Sequence, residues 1–208
     1  MIAIVDYGMA NLRSVEKALA RVGGDPVITR DPQVVAAADK VVLPGVGAFC
    51  AAMTNLERSG LRNAVRQAID AGKPFLGICL GLQLLFEEST EMGVTPGLGV
   101  LPGRVVGFFE DGRTPEAEGL KVPHIGWNSL RPRGGARLFH GLEEGAYVYF
   151  VHSYYPVPCD AGLIAATSDY GGAFCCAVER GNLAATQFHP EKSGAVGLQI
   201  LRNFVSWD

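Results

Sequence analysis

Cys79 lies between two glycines, Gly77 and Gly81, in the run Lys73-Pro74-Phe75-Leu76-Gly77-Ile78-Cys79-Leu80-Gly81-Leu82-Gln83. As a thiolate, cysteine is a strong nucleophile. A nucleophile held on a sharp strand-to-helix turn needs small neighbours and unusual backbone angles, and paired glycines two residues to either side meet that need. The known motif of this shape carries serine; here sulfur takes its place. A cysteine that opens a helix also lies at the helix's positive end, which lowers its pKa and favours the thiolate. The other reading is a buried structural cysteine at a strand end, since cysteine is often buried.

A nucleophilic cysteine needs a base within hydrogen-bond reach and a third group to orient that base. The chain has four histidines. His140, in Phe139-His140-Gly141, reads as a solvated loop residue. His124 and His152 occupy strand-like contexts, either as satisfied core residues or as site residues. His189 differs: it follows an apolar strand and precedes Pro190-Glu191, so His189 and Glu191 leave the strand end together with proline fixing the turn. Alone, His-Pro-Glu is as well read as a surface turn. If its strand lies beside the Cys79 strand, however, both ends open onto the same edge of the sheet, where open α/β sheets place their sites.

The elements that must position these groups follow from the apolar pattern. Pro74, Phe75, Leu76 and Ile78 form a buried-strand run, and from Leu80 onward Leu82, Leu84, Leu85 and Phe86 fit a largely buried helix. Upstream, strands at residues 2–5, 27–28 and 41–43 alternate with helical stretches. Leu12, Val15, Leu19 and Val22 fall on one helix face that Gly23-Gly24 stops; residues 34–38 are helix-compatible, and Leu61, Val65, Ala68 and Ile69 mark another helix. Strands apolar on both faces and alternating with helices predict an α/β fold with a mostly parallel central sheet covered on both sides. After about Gly97 the rhythm changes. Strand-like runs at 100–101, 105–109, 147–155, 163–167, 173–179 and 183–188 are separated by turns such as Asp111-Gly112, Asp169-Tyr170-Gly171-Gly172 and Arg180-Gly181-Asn182. This half predicts additional antiparallel strands at one side of the parallel sheet, followed by a last helix over 195–205 that turns Val196, Ile200, Leu201 and Phe204 to the core. No repeat, low-complexity segment or linker divides the chain, so residues 1–208 read as one domain.

Composition narrows the class. With 48% hydrophobic and 19% charged residues, the 208-residue chain can bury a sizeable core and suggests no disordered tail. A net charge of −3 without any basic run argues against nucleic acid as the main partner. Five cysteines, an odd number without a framework spacing, predict reduced thiols and a cytoplasmic setting. Ordinary packing is assigned to Cys50, Cys159, Cys175 and Cys176, the last two adjacent in a strand and so on opposite faces. No cysteine or histidine spacing suggests a metal site, and no cofactor is implied. The Met1–Asp6 start lacks the pattern of a signal peptide, and no apolar stretch is long enough to span a membrane; the expectation is a soluble intracellular protein.

The segments Gly77-Ile78-Cys79-Leu80-Gly81-Leu82-Gln83 and Gln187-Phe188-His189-Pro190-Glu191-Lys192-Ser193 together resemble the class I (triad-type) glutamine amidotransferase domain, a flavodoxin-like α/β fold, over essentially the whole chain. Asp6-Tyr7-Gly8 with Asn11-Leu12, Pro44-Gly45-Val46-Gly47 and Pro123-His124-Ile125-Gly126-Trp127-Asn128 narrow the resemblance to the glutaminase subunits of imidazole glycerol phosphate synthases of histidine biosynthesis. Ala10 stands where that family commonly has glycine, and Leu82 where methionine is frequent; both are apolar and away from the reacting atoms.

The resemblance implies that Cys79 attacks the side-chain amide carbon of glutamine, His189 acts as acid and then base, and Glu191 holds the imidazole tautomer. Oxyanion donors would come from the Leu80 N–H and from the Gly45-Val46-Gly47 loop, whose flanking glycines would let a peptide rotate when a partner signals; the plainer reading of that loop is a tight turn after a strand. Glutamine's ammonium and carboxylate groups would meet Gln83 and Glu91 on one side and the His152-Ser153-Tyr154 segment on the other. Released ammonia would pass to a cyclase subunit, a (β/α)8 barrel, which forms imidazole glycerol phosphate and an aminoimidazole carboxamide ribotide. Asn11, Trp127, Tyr149 and Lys192 would belong to that heterodimer's interface, unless the two aromatic residues are ordinary core. The competing readings are the glutaminase subunit of another synthase, such as anthranilate or aminodeoxychorismate synthase, a non-catalytic subunit on the same fold, and a cysteine hydrolase acting on peptides.

Overall fold

The first strand, β1 (Ile2–Val5), buries all four of its apolar side chains. In the computed structural model, which describes residues 1–109 and 119–207, it is followed by helix α1 (Leu12–Arg21), β2 (Pro26–Thr29), α2 (Pro32–Ala37) and β3 (Lys40–Gly45). Helices α3 (Phe49–Arg58) and α4 (Leu61–Asp70) lead into β4 (Phe75–Cys79), which ends at the candidate nucleophile. A single turn, α5 (Leu80–Gln83), connects to β5 (Phe86–Ser89), β6 (Thr95–Pro96) and β7 (Leu101–Gly107). Then come β8 (His124–Ser129), β9 (Arg131–Pro132), β10 (Tyr147–His152), β11 (Tyr154–Pro158), β12 (Ile164–Asp169), β13 (Ala173–Arg180), β14 (Leu183–Thr186) and the final helix α6 (Gly194–Val205). The Asp111-Gly112 turn lies outside the described residues.

Eight strands form the central sheet in the order β2-β1-β3-β4-β14-β13-β12-β9. The five from β2 to β14 are mutually parallel, and β13, β12 and β9 continue the sheet antiparallel. Alternation along β1, β3, β4 and β14 sends side chains into two cores, whereas the edge strand β2 is partly exposed. Ala3, Val5, Val41, Leu43 and Phe75 meet α2, α3 and α4, while Ile2, Ile4, Val42, Leu76 and Ile78 meet α1 and α6. Both faces are dry, which is why these strands read as unbroken apolar runs. A fully buried Phe, Leu or Ile side chain stabilises by roughly 1.5–3 kcal/mol, so this double-faced sheet is a rigid base for whatever its edge carries. Gly23, at φ 88°, ends α1 where the sequence predicts.

The second half carries the expected antiparallel extension of the sheet and does not stop there. Besides β13, β12 and β9, it builds a two-stranded ribbon, β8 with β10, and a four-stranded sheet ordered β11-β7-β5-β6. The predicted strand over 147–155 breaks at Ser153 into β10 and β11, which pair with β8 and β7 respectively. Helix α3 was not marked by the pattern. Among the described residues no helix is long and apolar enough to cross a membrane. Cys175 and Cys176 do pack on opposite faces, one in each core, but Cys50 and Cys159 are exposed rather than packed.

Candidate active site

The end of β4 is where backbone and chemistry meet. Cys79 adopts φ 56° and ψ −111°, a conformation rarely taken by residues other than glycine. The sequence assigns the unusual angles to the flanking glycines; the structure puts them on Cys79 itself. Gly77 and Gly81 supply room. A Cβ on Gly81 would lie 1.8 Å from the Leu43 carbonyl oxygen, and one on Gly77 would lie 2.9 Å from the Gly81 carbonyl oxygen. The turn therefore brings the backbone after Cys79 against β3, and no side chain fits between them.

The long helix expected behind Cys79 is also corrected. It is a single turn, after which Phe86 enters β5 and pairs parallel with Leu101 of β7. A run apolar on every side does not distinguish a buried helix from a buried strand. Here the carbonyls of Leu84, Leu85 and Phe86 accept from the N–H groups of residues 98–101, so Leu84 and Leu85 form a turn and the strand begins at Phe86. With one turn, the helix carries little of the macrodipole anticipated at the cysteine.

β14 lies beside β4 in parallel register, with Thr186 opposite Ile78, so the residues after it emerge next to Cys79. Gln187 Nε2 reaches Cys79 Sγ at 3.7 Å. His189 Nδ1 bonds Glu191 Oε1 at 2.8 Å, and both side chains are almost wholly buried. Residues Pro190–Lys192 form one 3-10 turn, which places the carboxylate under the ring. His189 Nε2 has no hydrogen bond of normal geometry among the described residues, while Cys79 is close enough to act on its protonation. Burial lowers the imidazole's pKa, but Cys79 and Glu191 outweigh it and raise the value to about 9. The arrangement favours the imidazolium form of His189, held between Cys79 and Glu191.

A cavity of about 320 Å³ opens on this edge, lined by Val46, Gly47, Cys79, Leu80, Gln83, Glu91, His152, Ser153, Tyr154 and His189, with Pro123 and Val151 in addition. Nearly all the residues singled out in the sequence for catalysis, oxyanion binding or glutamine contacts thus meet around one space. Gly45 sits directly opposite Cys79 in the β3–β4 ladder, and Glu191 stands behind His189. Gln83 Nε2 donates to the Tyr154 carbonyl at 3.0 Å and to Gln187 Oε1 at 3.1 Å, tying the pocket wall to the residue beside the sulfur. Glu91 Oε2 accepts from the Phe49 N–H at 2.6 Å, so this carboxylate also closes the start of α3. In the loop after β3, the Val46 N–H donates to the Met9 carbonyl at 2.9 Å and is thereby engaged away from an oxyanion. A larger cleft, about 610 Å³, runs between residues 132–142 and α6, but none of the residues of the cysteine site lines it.

The profile of the family described as glutamine amidotransferase class-I matches residues 3–207. The chain belongs to that family. Similar proteins include two named "Imidazole glycerol phosphate synthase subunit HisH". The one from Syntrophotalea carbinolica is 57% identical over 98% of this chain and 98% of its own length. That from Geobacter metallireducens is 56% identical, covering 98% and 96%. Among solved structures, a "glutamine amidotransferase" superposes with TM-score 0.74 at 20% identity, covering 100% of this chain and 98% of that one. The structure of PurLQS from Thermotoga maritima gives TM-score 0.74 at 18% identity, covering 99% and 97%. At such identities these two speak for the fold alone.

Around the amidotransferase site, the β8–β10 ribbon has two unlike faces. Outward, Trp127 and Tyr147 are more than half exposed, as is Ile125, and Tyr149 is half-buried. The Trp127 and Tyr149 rings lie 6.2 Å apart, with Lys192 Nζ 5.9 Å from the Tyr149 ring centre. Core packing, the alternative for Trp127, is thus not its role, and Asn11 is likewise exposed. The ribbon is stitched to the His189–Glu191 turn: His189 N–H donates to the Tyr149 carbonyl at 3.0 Å, and Tyr149 N–H donates to Ser193 Oγ at 3.0 Å.

Three contributors carry no assignment in the sequence reading: Gln187, the Met9 carbonyl and Tyr7. Gln187 was legible, since it lies two residues before His189 and so on the same side of the extended chain. The Met9 carbonyl and the Tyr7 hydroxyl, which would lie 2.3 Å from a Cβ on Gly45, act through tertiary contact and leave no local pattern.

Proposed function

We propose that this chain is one amidotransferase domain, the glutaminase subunit of an imidazole glycerol phosphate synthase, with Cys79, His189 and Glu191 as its catalytic groups. The observation that carries the proposal is the convergence of Cys79 and the His189–Glu191 pair on one cavity edge, in a chain 57% identical to a protein named as that synthase's HisH subunit. Cys79 Sγ attacks the amide carbon of glutamine, and the imidazolium of His189 gives its proton to the departing nitrogen, so that ammonia leaves. The neutral imidazole then takes a proton from water, which attacks the γ-glutamyl thioester and releases glutamate. Glu191 keeps the ring oriented and stabilises its charged form.

The tetrahedral intermediates need N–H donors for their oxyanion. Leu80 N–H is one, and the Val46 loop supplies the second after leaving the Met9 carbonyl. Gln83, Glu91 and the His152-Ser153-Tyr154 strap hold the α-amino and α-carboxylate groups. The partner is a cyclase subunit, a (β/α)8 barrel that forms a heterodimer by docking on the face of Asn11, Trp127, Tyr149 and Lys192 and receives the ammonia directly.

The test is ammonia release from glutamine by the chain alone and with the cyclase subunit and its ribonucleotide. Slow release alone, a large rise in the complex and its abolition by Cys79→Ala are expected. Full activity without the partner would remove the gated loop, and unchanged glutamine-dependent synthesis in Cys79→Ala would remove the triad.

A further inference from the structure

We propose that His124 and His152 are positioning residues: a one-way hydrogen-bond relay through their imidazoles holds the Tyr154 carbonyl in place beside the amino-acid pocket. The direction follows from what each atom is able to do. A carbonyl only accepts, so His152 Nδ1, 2.9 Å from Tyr154 O, carries a proton. In a neutral ring, His152 Nε2 is then a lone pair, and His124 Nδ1, 3.0 Å away, is its donor. His124 Nε2 is left as an acceptor, facing the Asn128 amide nitrogen at 3.4 Å. That nitrogen also donates to the Asp169 carbonyl at 2.8 Å, which fixes which end of the amide points inward.

Neutrality is set by the surroundings. His124 stacks between Phe150 and Tyr170, with ring centres 4.9 and 4.0 Å away, and His152 packs against Phe108 and Phe174. Burial pushes His124 down to about 4 and His152 down to about 3. Both rings are therefore uncharged and both are protonated on Nδ1, so the relay has one polarity from Asn128 to Tyr154.

Two donor lines converge on the Tyr154 carbonyl. One is this relay on the inner face of the β8–β10 ribbon; the other is Gln83, which continues through Gln187 to Cys79. Ser153 and Tyr154 line the cavity, so fixing that peptide fixes the strap that would hold the α-carboxylate of glutamine. The inference rests on the pocket reading above.

Nitrogen NMR of the histidine rings at pH 7 tests the relay directly. Protons on Nδ1 of both His124 and His152 are expected; a proton on Nε2 of either neutral ring overturns the proposal. In the complex, His152→Phe, which keeps a ring but removes the donor, should raise the glutamine KM about fivefold with kcat nearly unchanged, the size of one lost hydrogen bond. His152→Gln, which restores a donor to Tyr154 and an acceptor for His124, should recover most of it. Where His152→Phe does not fold, the ring spectra of the unsubstituted protein and His124→Phe carry the test. Glu91→Gln separates the two levels of the argument. An unchanged KM in His152→Phe alone overturns the relay, and an unchanged KM in both variants overturns the pocket reading beneath it.

Discussion

At the scale of single residues, Cys79 carries backbone strain. A residue other than glycine at φ 56° and ψ −111° costs on the order of 1–3 kcal/mol, and the ladders of β3 and β14 on either side of β4 hold it there. Cys79→Gly and Cys79→Ala should both abolish ammonia release. Cys79→Gly should nevertheless be the more stable of the two by about 1 kcal/mol in urea unfolding, because glycine adopts these angles freely. Equal stabilities would mean the strain is not there.

The same scale sets the pH response. His189 is raised to about 9 in the folded chain, with burial opposing and Cys79 and Glu191 raising it. An unfolded histidine titrates near 6.5, so the stability this ion cluster contributes is complete below about pH 6.5 and is lost as pH rises through about 9. In the proposed mechanism the proton given to the departing nitrogen comes from the same imidazolium, so kcat/KM should show an alkaline limb near pH 9. Glu191→Gln removes one of the two raising charges and should move that limb to lower pH. A limb that stays in place would detach Glu191 from the histidine's charge.

At the scale of elements, the site is built where β3, β4 and β14 end together, and glycine marks the points where they crowd. Gly45 leaves no space for a side chain: its Cβ would lie 2.3 Å from Tyr7 Oη and 3.0 Å from Leu80 Cβ. Gly45→Ala should cost about 1–3 kcal/mol as an overpacking change. Tyr7→Phe removes the atom in closest conflict, a hydroxyl that has no partner among the described residues, so the double variant should recover much of the loss in a thermal or urea cycle. Simple additivity would show that Leu80, not Tyr7, sets the limit. β10 and the His189–Glu191 turn are joined through Tyr149, whose backbone pairs with His189 and Ser193, so displacement of the ribbon has a direct path to the histidine.

At the scale of the whole molecule, the outer face of the ribbon stands beside the mouth of the cavity. Ile125, Trp127 and Tyr147 are exposed together, next to Tyr149 and Lys192, and an aromatic and basic cluster of this kind suits the anchoring centre of an interface. Trp127→Ala should weaken association with the proposed cyclase subunit by about 2 kcal/mol, roughly thirtyfold in Kd by titration calorimetry. The stability of the isolated chain should change by less than about 0.5 kcal/mol, because the ring is outside the core. A large loss of stability with unchanged affinity would return Trp127 to a packing role.

The sequence by itself determined the parallel half of the sheet, because strands dry on both faces must be apolar at every position and helices with one wet face must be periodic. It also singled out Cys79 and the His-Pro-Glu turn as candidates, and the fold brings them to one sheet edge, since Gly77, Gly81 and Pro190 are local backbone requirements written beside them. Only the tertiary structure decided that Cys79 itself bears the positive φ, an angle that goes with the close approach of Gly81 to β3 and so depends on a neighbouring strand. It alone divided residues 84–109 and 147–158 among separate small sheets, since apolar pattern gives strand character but not strand partner. And it alone decided that His124 and His152, open in the sequence between core and site, form one polar chain inside an aromatic shell. Their roles depend on which atoms face each other across strands 28 residues apart.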